Sequence, residues 1–218
     1  MLLAIDTSAQ LCAACLYDTK NSRVLSSDVR DIGRGHAEIL MEQIDNCLGV
    51  TGATYSDIGR IGVTNGPGSF TGLRVGLSVA RGLRLALKIE AIGISSLAGL
   101  ETEATQSGFD GKLLTILDAR RDQAYCKLSG NDIPFIDTFE NLVHTLPNDL
   151  EGICGSGSDD LQKLAFAELP IIHAKSVANI ETIAELATIA PTNNTPPEPL
   201  YLREADAKPQ SGFAVSLG

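Results

Sequence analysis

Two carboxylates end the apolar segments that open the two halves of this 218-residue chain: Asp6 in LLAIDTS and Asp118 in KLLTILDAR. An aspartate at a buried strand end can hold a magnesium ion or a water for phosphoryl chemistry, or it can cap the following turn. Ser8 follows the first carboxylate closely. Farther on, Gly155 and Gly157 in GSGS lack the Cβ that would keep a base or ribose at a distance. Asp6, Ser8, Asp118, Gly155 and Gly157 are therefore candidate nucleotide-binding residues. The enzyme reading they allow is an ATP- and magnesium-dependent phosphotransferase or ATPase.

A second candidate is TNGPGSFTGLRVGLSVARGL, residues 64–83, in which glycines crowd a turn just before a helical pattern. A glycine-rich turn at a helix N-terminus can receive an anion. The spacing fits neither nucleotide motif: there is no Gly-Lys pair for a phosphate-binding loop, and Gly66, Gly68 and Gly72 run one residue too long for the dinucleotide fingerprint. The helix itself is apolar around most of its circumference, and Arg74, Ser78, Arg81, Arg84 and Lys88 form its polar stripe. Gly72, Gly76 and Ala80 recur every fourth residue and permit close helix approach. One side of such a helix belongs on a sheet; the other requires a partner. The expected partner-binding set is Leu40, Met41 and Ile44 on the preceding helix with Gly72, Leu73, Gly76, Leu77, Ala80 and Arg81 on this one.

Other chemistries find little support. His36, His144 and His173 show no metal-ligand spacing, and Ser69 and Ser156 sit outside a nucleophile elbow. Cys12 and Cys15 fall three apart in a strand, so their sulfurs diverge. No catalytic residue and no metal site is assigned.

The net charge of −10 is uneven. Residues 1–100 carry nine basic against nine acidic side chains, and 101–218 carry eight against eighteen. That balance opposes autonomous nucleic-acid binding. Tryptophan is absent and aromatics are sparse, which disfavours base-stacking platforms. The N-terminus reads as a strand rather than a leader, no membrane span is visible, and five cysteines suit a reducing compartment, so a cytoplasmic protein is expected.

Positioning these residues requires an α/β chain. Strands at LLAIDTS, CAACLYD and RVLSSDVR precede a helix ending at Gly49. A strand through residues 58–65, a helix at 73–87, a strand at IEAIGISS and a helix at SLAGLETEAT complete the first half. The second half restarts with KLLTILDAR and DQAYCKLS. It continues through the helix FENLVHTL, the strand GICGSGS, two helices in DDLQKLAFAEL and ANIETIAELATIA, and an extended Pro-rich connector. Residues 1–100 form one expected lobe, with the tail from about 200 to 218 packing back onto it; 101–199 form a smaller second lobe.

LLAIDTS, GHAEILM, the 64–83 stretch, GISSL, LDARRDQAY and PLYLRE, in this order over nearly the whole chain, resemble the TsaB (YeaZ) family of bacterial tRNA threonylcarbamoyladenosine biosynthesis proteins. The resemblance implies an actin-like, Hsp70-like ATPase fold of the ribonuclease H-like kind. It has two lobes with βββαβα-type cores, the second reduced, in a shortened paralogue of the catalytic subunit TsaD. It further implies a non-catalytic subunit that scaffolds and activates TsaD by helix pairing. With the ATPase TsaE, the pair transfers threonylcarbamoyl from its adenylate to the adenosine beside the anticodon of tRNAs reading A-starting codons. ATP and a metal are then expected in the partner proteins and not in this chain. tRNA is met through the complex, and a homodimer forms when the partner is absent. TsaD-like sequences carry a metal-binding H-x-x-x-H whose positions match Ser96 and Leu100 here, neither of them a replacement ligand.

Overall fold

The computed structural model describes residues 1–192 and 194–203. The expected packing of the tail beyond residue 203 lies outside the described residues.

β1 (Leu2–Asp6), β2 (Leu11–Asp18), β3 (Arg23–Asp31), β4 (Arg60–Gly66) and β5 (Glu90–Ser95) form one sheet in the order β3-β2-β1-β4-β5. β1 runs antiparallel to β2 and parallel to β4. α1 (His36–Thr51), α2 (Phe70–Leu87) and α3 (Ser96–Gln106) intervene in the chain. The second half repeats the plan with β6 (Leu113–Asp118), β7 (Gln123–Leu128), β8 (Phe135–Thr138), α4 (Phe139–Thr145), β9 (Gly152–Cys154), α5 (Ser158–Leu164), β10 (Ile171–His173) and α6 (Ile180–Ile189). Its sheet order, β10-β9-β6-β7-β8, is that of the first sheet read from the other edge. Two such copies make the duplicated ribonuclease H-like fold of actin-like and Hsp70-like proteins, as the resemblance implied. The second copy is shortened, with helices α4 and α5 of seven residues each against sixteen and eighteen in α1 and α2.

Every residue of β1 is buried, because both faces of its sheet are covered. Leu3 and Ile5 point into a core shared with α1 and α2, whereas Leu2 and Ala4 point into one shared with α3 and α6. That second core also holds Leu113, Leu117 and Cys154 of the other half, so α3 and α6 lie between the two sheets. A third cluster, including Ile116, Leu142 and Leu161, packs α4 and α5 on the far side. Cys12 and Cys15 fall in different cores, as their spacing requires.

Several boundaries differ from expectation. α1 passes Gly49 and stops at Gly52, whose φ of 69° suits glycine and whose N–H meets the Gly49 and Leu48 carbonyls. The GICGSGS strand ends at Cys154, where Gly155 turns the chain at φ 105°. The helix expected over 159–169 is α5, ending at Leu164. β8 and β10 are additions, four and three residues long.

Candidate functional site

Asp6 ends β1 only 5% exposed, and its Oδ1 accepts the Ser8 N–H at 2.8 Å. Burial pushes its carboxyl above the usual range, against the opposing pull of the Ser8 hydrogen bonds and the His36 charge. His36 sits within reach of the Ala9 carbonyl at 2.9 Å and the Leu11 carbonyl at 3.2 Å through Nε2, tying the start of α1 to this turn. Metal-ligand spacing gives no hint of this role for His36, since a lone histidine before a helix has no signature of its own.

The glycine-rich turn is filled from within. Ser69 caps α2, its Oγ accepting the Gly72 N–H, and the Ser69 N–H donates to the Ser8 carbonyl at 2.6 Å. A Cβ on Gly68 would stand 2.4 Å from the Ser8 carbonyl oxygen, and one on Gly72 would stand 2.0 Å from that of Thr7. The close approach these two glycines allow is therefore to the chain's own Thr7–Ser8 backbone.

The second-half candidates are likewise committed to their own fold. Asp118 is exposed, with Oδ1 accepting the Arg120 N–H at 2.7 Å and its N–H donating to Ser156 Oγ at 3.2 Å. A Cβ on Gly155 would fall 2.2 Å from the Ile116 carbonyl, and one on Gly157 would fall 2.9 Å from Ile116 Cγ1. The close approach these glycines allow is therefore to β6. A groove of about 220 Å³ is lined by Asp6, Leu11, Val29 and the Ala178–Glu181 start of α6, but by neither Asp118, Gly155 nor Gly157. Of the expected nucleotide set this groove takes in Asp6, while Gly155 and Gly157 lie against Ile116 of β6.

The expected partner face also changes. Leu40, Ile44, Leu73, Leu77 and Ala80 are buried in the core beneath α1 and α2. The Gly72–Gly76–Ala80 ridge faces inward: a Cβ on Gly76 would meet Thr7 Oγ1 at 2.5 Å. These seven residues are buried within the chain's own core, because strand β1 and the following Thr7 lie against the small-residue ridge of α2. Arg81 is half-buried and donates from Nε to the Pro197 carbonyl at 2.9 Å. Met41, 39% exposed, stays on the surface, where Phe70 and Leu85 of α2 are also exposed.

The sequence profile described as TsaD, tRNA N6-adenosine threonylcarbamoyltransferase, matches residues 30–165, more than half of the chain. The chain belongs to the TsaD family. Among curated relatives, the tRNA threonylcarbamoyladenosine biosynthesis protein TsaB of Escherichia coli K12 is 30% identical over 57% of this chain and 52% of its own length. TsaB of Bacillus subtilis 168 is 32% identical over 58% and 54%. The chain thus matches about half the length of these curated relatives. YeaZ from Pseudomonas aeruginosa superposes with a TM-score of 0.73 at 26% identity, over 85% of this chain and 89% of that one.

Within this TsaD-family chain, Ser96 and Leu100 lie on α3, both buried; Leu100 belongs to the core between the sheets. Among the described residues, no three His, Cys, Asp or Glu side chains come together to hold a metal ion. Among them, too, no helix is long and apolar enough to cross a membrane.

Proposed function

We propose that this chain is a non-catalytic cytoplasmic subunit of a tRNA threonylcarbamoyl-transfer system. It supports a TsaD-like catalytic subunit together with a TsaE-like ATPase and meets tRNA through the complex. The observation that supports this reading is the use of the glycine-rich turn within the chain itself: the Ser8 and Thr7 carbonyls lie against Gly68 and Gly72, and the Ser69 N–H donates to Ser8. The names of the TsaB relatives supply the pathway. With the small-residue ridge turned inward, the partner face is assigned to the outer sides of α1 and α2, where Met41 and Leu85 are exposed. Without the partner, the same outer face pairs two copies of this chain.

The test is co-elution with a TsaD-like subunit and modification of tRNA in a reconstituted system. The parent chain is expected to co-elute and support modification, and the Met41→Asp, Leu85→Asp double variant to lose both while keeping its circular dichroism spectrum. Undiminished co-elution of the variant overturns the face, and failure of the parent overturns the function. Calorimetry with ATP and magnesium addresses the phosphotransferase alternative: heat of binding at sub-millimolar nucleotide supports that alternative over the scaffold.

A further inference from the structure

Residues 194–203 form neither helix nor strand, yet α2 and β4 hold their backbone at intervals. Arg84 Nη2 donates to the Asn194 carbonyl, and Arg81 Nε to that of Pro197. Asn65 grips the segment twice: its Nδ2 donates to the Glu198 carbonyl at 3.1 Å, and its own carbonyl accepts the Leu200 N–H at 2.8 Å. The Tyr201 ring lies 5.4 Å from that of Phe70, and its hydroxyl accepts Arg74 Nε at 3.2 Å. Two residues later the segment reaches the other half of the molecule. Arg203 Nη2 lies within hydrogen-bonding distance of the Ala119 carbonyl at 3.0 Å, the Arg120 carbonyl at 3.3 Å and Gln123 Oε1.

The turn that Arg203 meets joins β6 to β7 and carries three successive left-handed residues, Arg120, Arg121 and Asp122, at φ 62°, 54° and 57°. L-residues take up this conformation only where surrounding contacts over-determine it. Local contacts contribute: Asp118 Oδ1 accepts the Arg120 N–H, the Gln123 N–H donates to Arg120, and the Phe139 N–H donates to Asp122. All of these arise within the second half, whereas Arg203 arrives on a segment anchored to the first.

We propose that residues 194–203 are a strap between the two halves, and that Arg203 is a positioning residue holding the Asp118–Gln123 turn in place relative to α2. A guanidinium presents several N–H donors in a fixed fan, which suits the clustered acceptors of this turn; an ammonium is a point charge on a flexible stem. Release of the strap anywhere along α2 then loosens the turn at its far end.

Hydrogen–deuterium exchange on the full chain tests this. In Arg203→Ala, the amides of residues 119–123 are expected to exchange roughly tenfold faster while those of β1 keep the parent rate, with Arg203→Lys intermediate. Tyr201→Ala, which changes no residue in contact with the turn, is expected to accelerate the same amides. Parent-like exchange at 119–123 in a folded Arg203→Ala overturns the proposal. If that variant does not fold, Tyr201→Ala decides: acceleration at the turn supports the strap, and parent-like exchange there overturns it.

Discussion

The Thr7 hydroxyl accepts the Gly76 N–H at 3.2 Å and donates to the Gly72 carbonyl at 2.8 Å, so one side chain at the end of β1 is locked into the first turns of α2. Gly76→Ala places its Cβ 2.5 Å from Thr7 Oγ1. It is expected to destabilise the chain by about 1–3 kcal/mol through overpacking. A methyl group at Gly82 on the same helix would have nothing within 4 Å, so Gly82→Ala is expected to stabilise by about 0.5–1 kcal/mol. Urea denaturation midpoints moving in opposite directions check the pair.

Acid sensitivity separates two aspartates. Hydrogen bonding to Arg30 leads the effects that bring the Asp28 carboxyl down to about 2, with Gln43 and Asn46 assisting against burial. Its folded value lies below the ordinary 3.8, so its stabilisation is present above that pH and is lost as pH falls toward 2. Because Arg30 is 35% exposed, Asp28→Asn is expected to cost only about 1 kcal/mol at neutral pH. Asp6 behaves oppositely: its raised folded value means that the penalty for ionising it accrues as pH rises through that value. Asp6→Asn, which keeps an acceptor for Ser8, is expected to raise stability at pH 7 and to leave it little changed in acid. Denaturation midpoints across pH check both signs.

The five cysteines are buried and free. Burial leads the effects that push the Cys12 thiol to about 11, Cys15 to about 12 and Cys154 to about 11. Few thiolates are then available at neutral pH. Ellman's reagent is expected to react slowly with native protein, at a rate that follows unfolding, and to count five thiols at once in guanidinium chloride. Prompt labelling of Cys12 or Cys15 in the native chain would contradict this burial.

Glu103 on α3 fastens the start of α6: it accepts the Asn179 N–H and takes Thr182 Oγ1 at 3.3 Å and Lys175 Nζ at 2.7 Å. Its side chain is buried, while that of Lys175 is 45% exposed. The helix terminus therefore matters more than the ion pair. Glu103→Ala is expected to cost about 1–3 kcal/mol, and Lys175→Ala less than about 1 kcal/mol. Equal losses in thermal unfolding would assign the stabilisation to the ion pair instead.

Much of the fold was legible because its signals are local. β1 reads as a strand from the apolar run that Asp6 ends, and α2 from its apolar periodicity. β8 and β10 are too short to show a repeat, and neighbouring strands define them through pairing. The candidate site was less legible. Asp6 and Asp118 do end equivalent strands, but only in three dimensions does Ile116 fill the space at Gly155, or Thr7 the space at Gly72.

By itself, the order of residues determined the two-part α/β plan and the cysteines' opposite faces, since both follow from repeats of two or three to four residues along one segment. Tertiary structure decided which side of α2 was left over. Its glycine ridge is covered by a threonine some seventy positions earlier, and Arg81 and Arg84 are taken by carbonyls more than a hundred positions later. Contacts between segments so far apart leave no periodic trace in either one, because each residue's partner is set by how the sheets and helices stack.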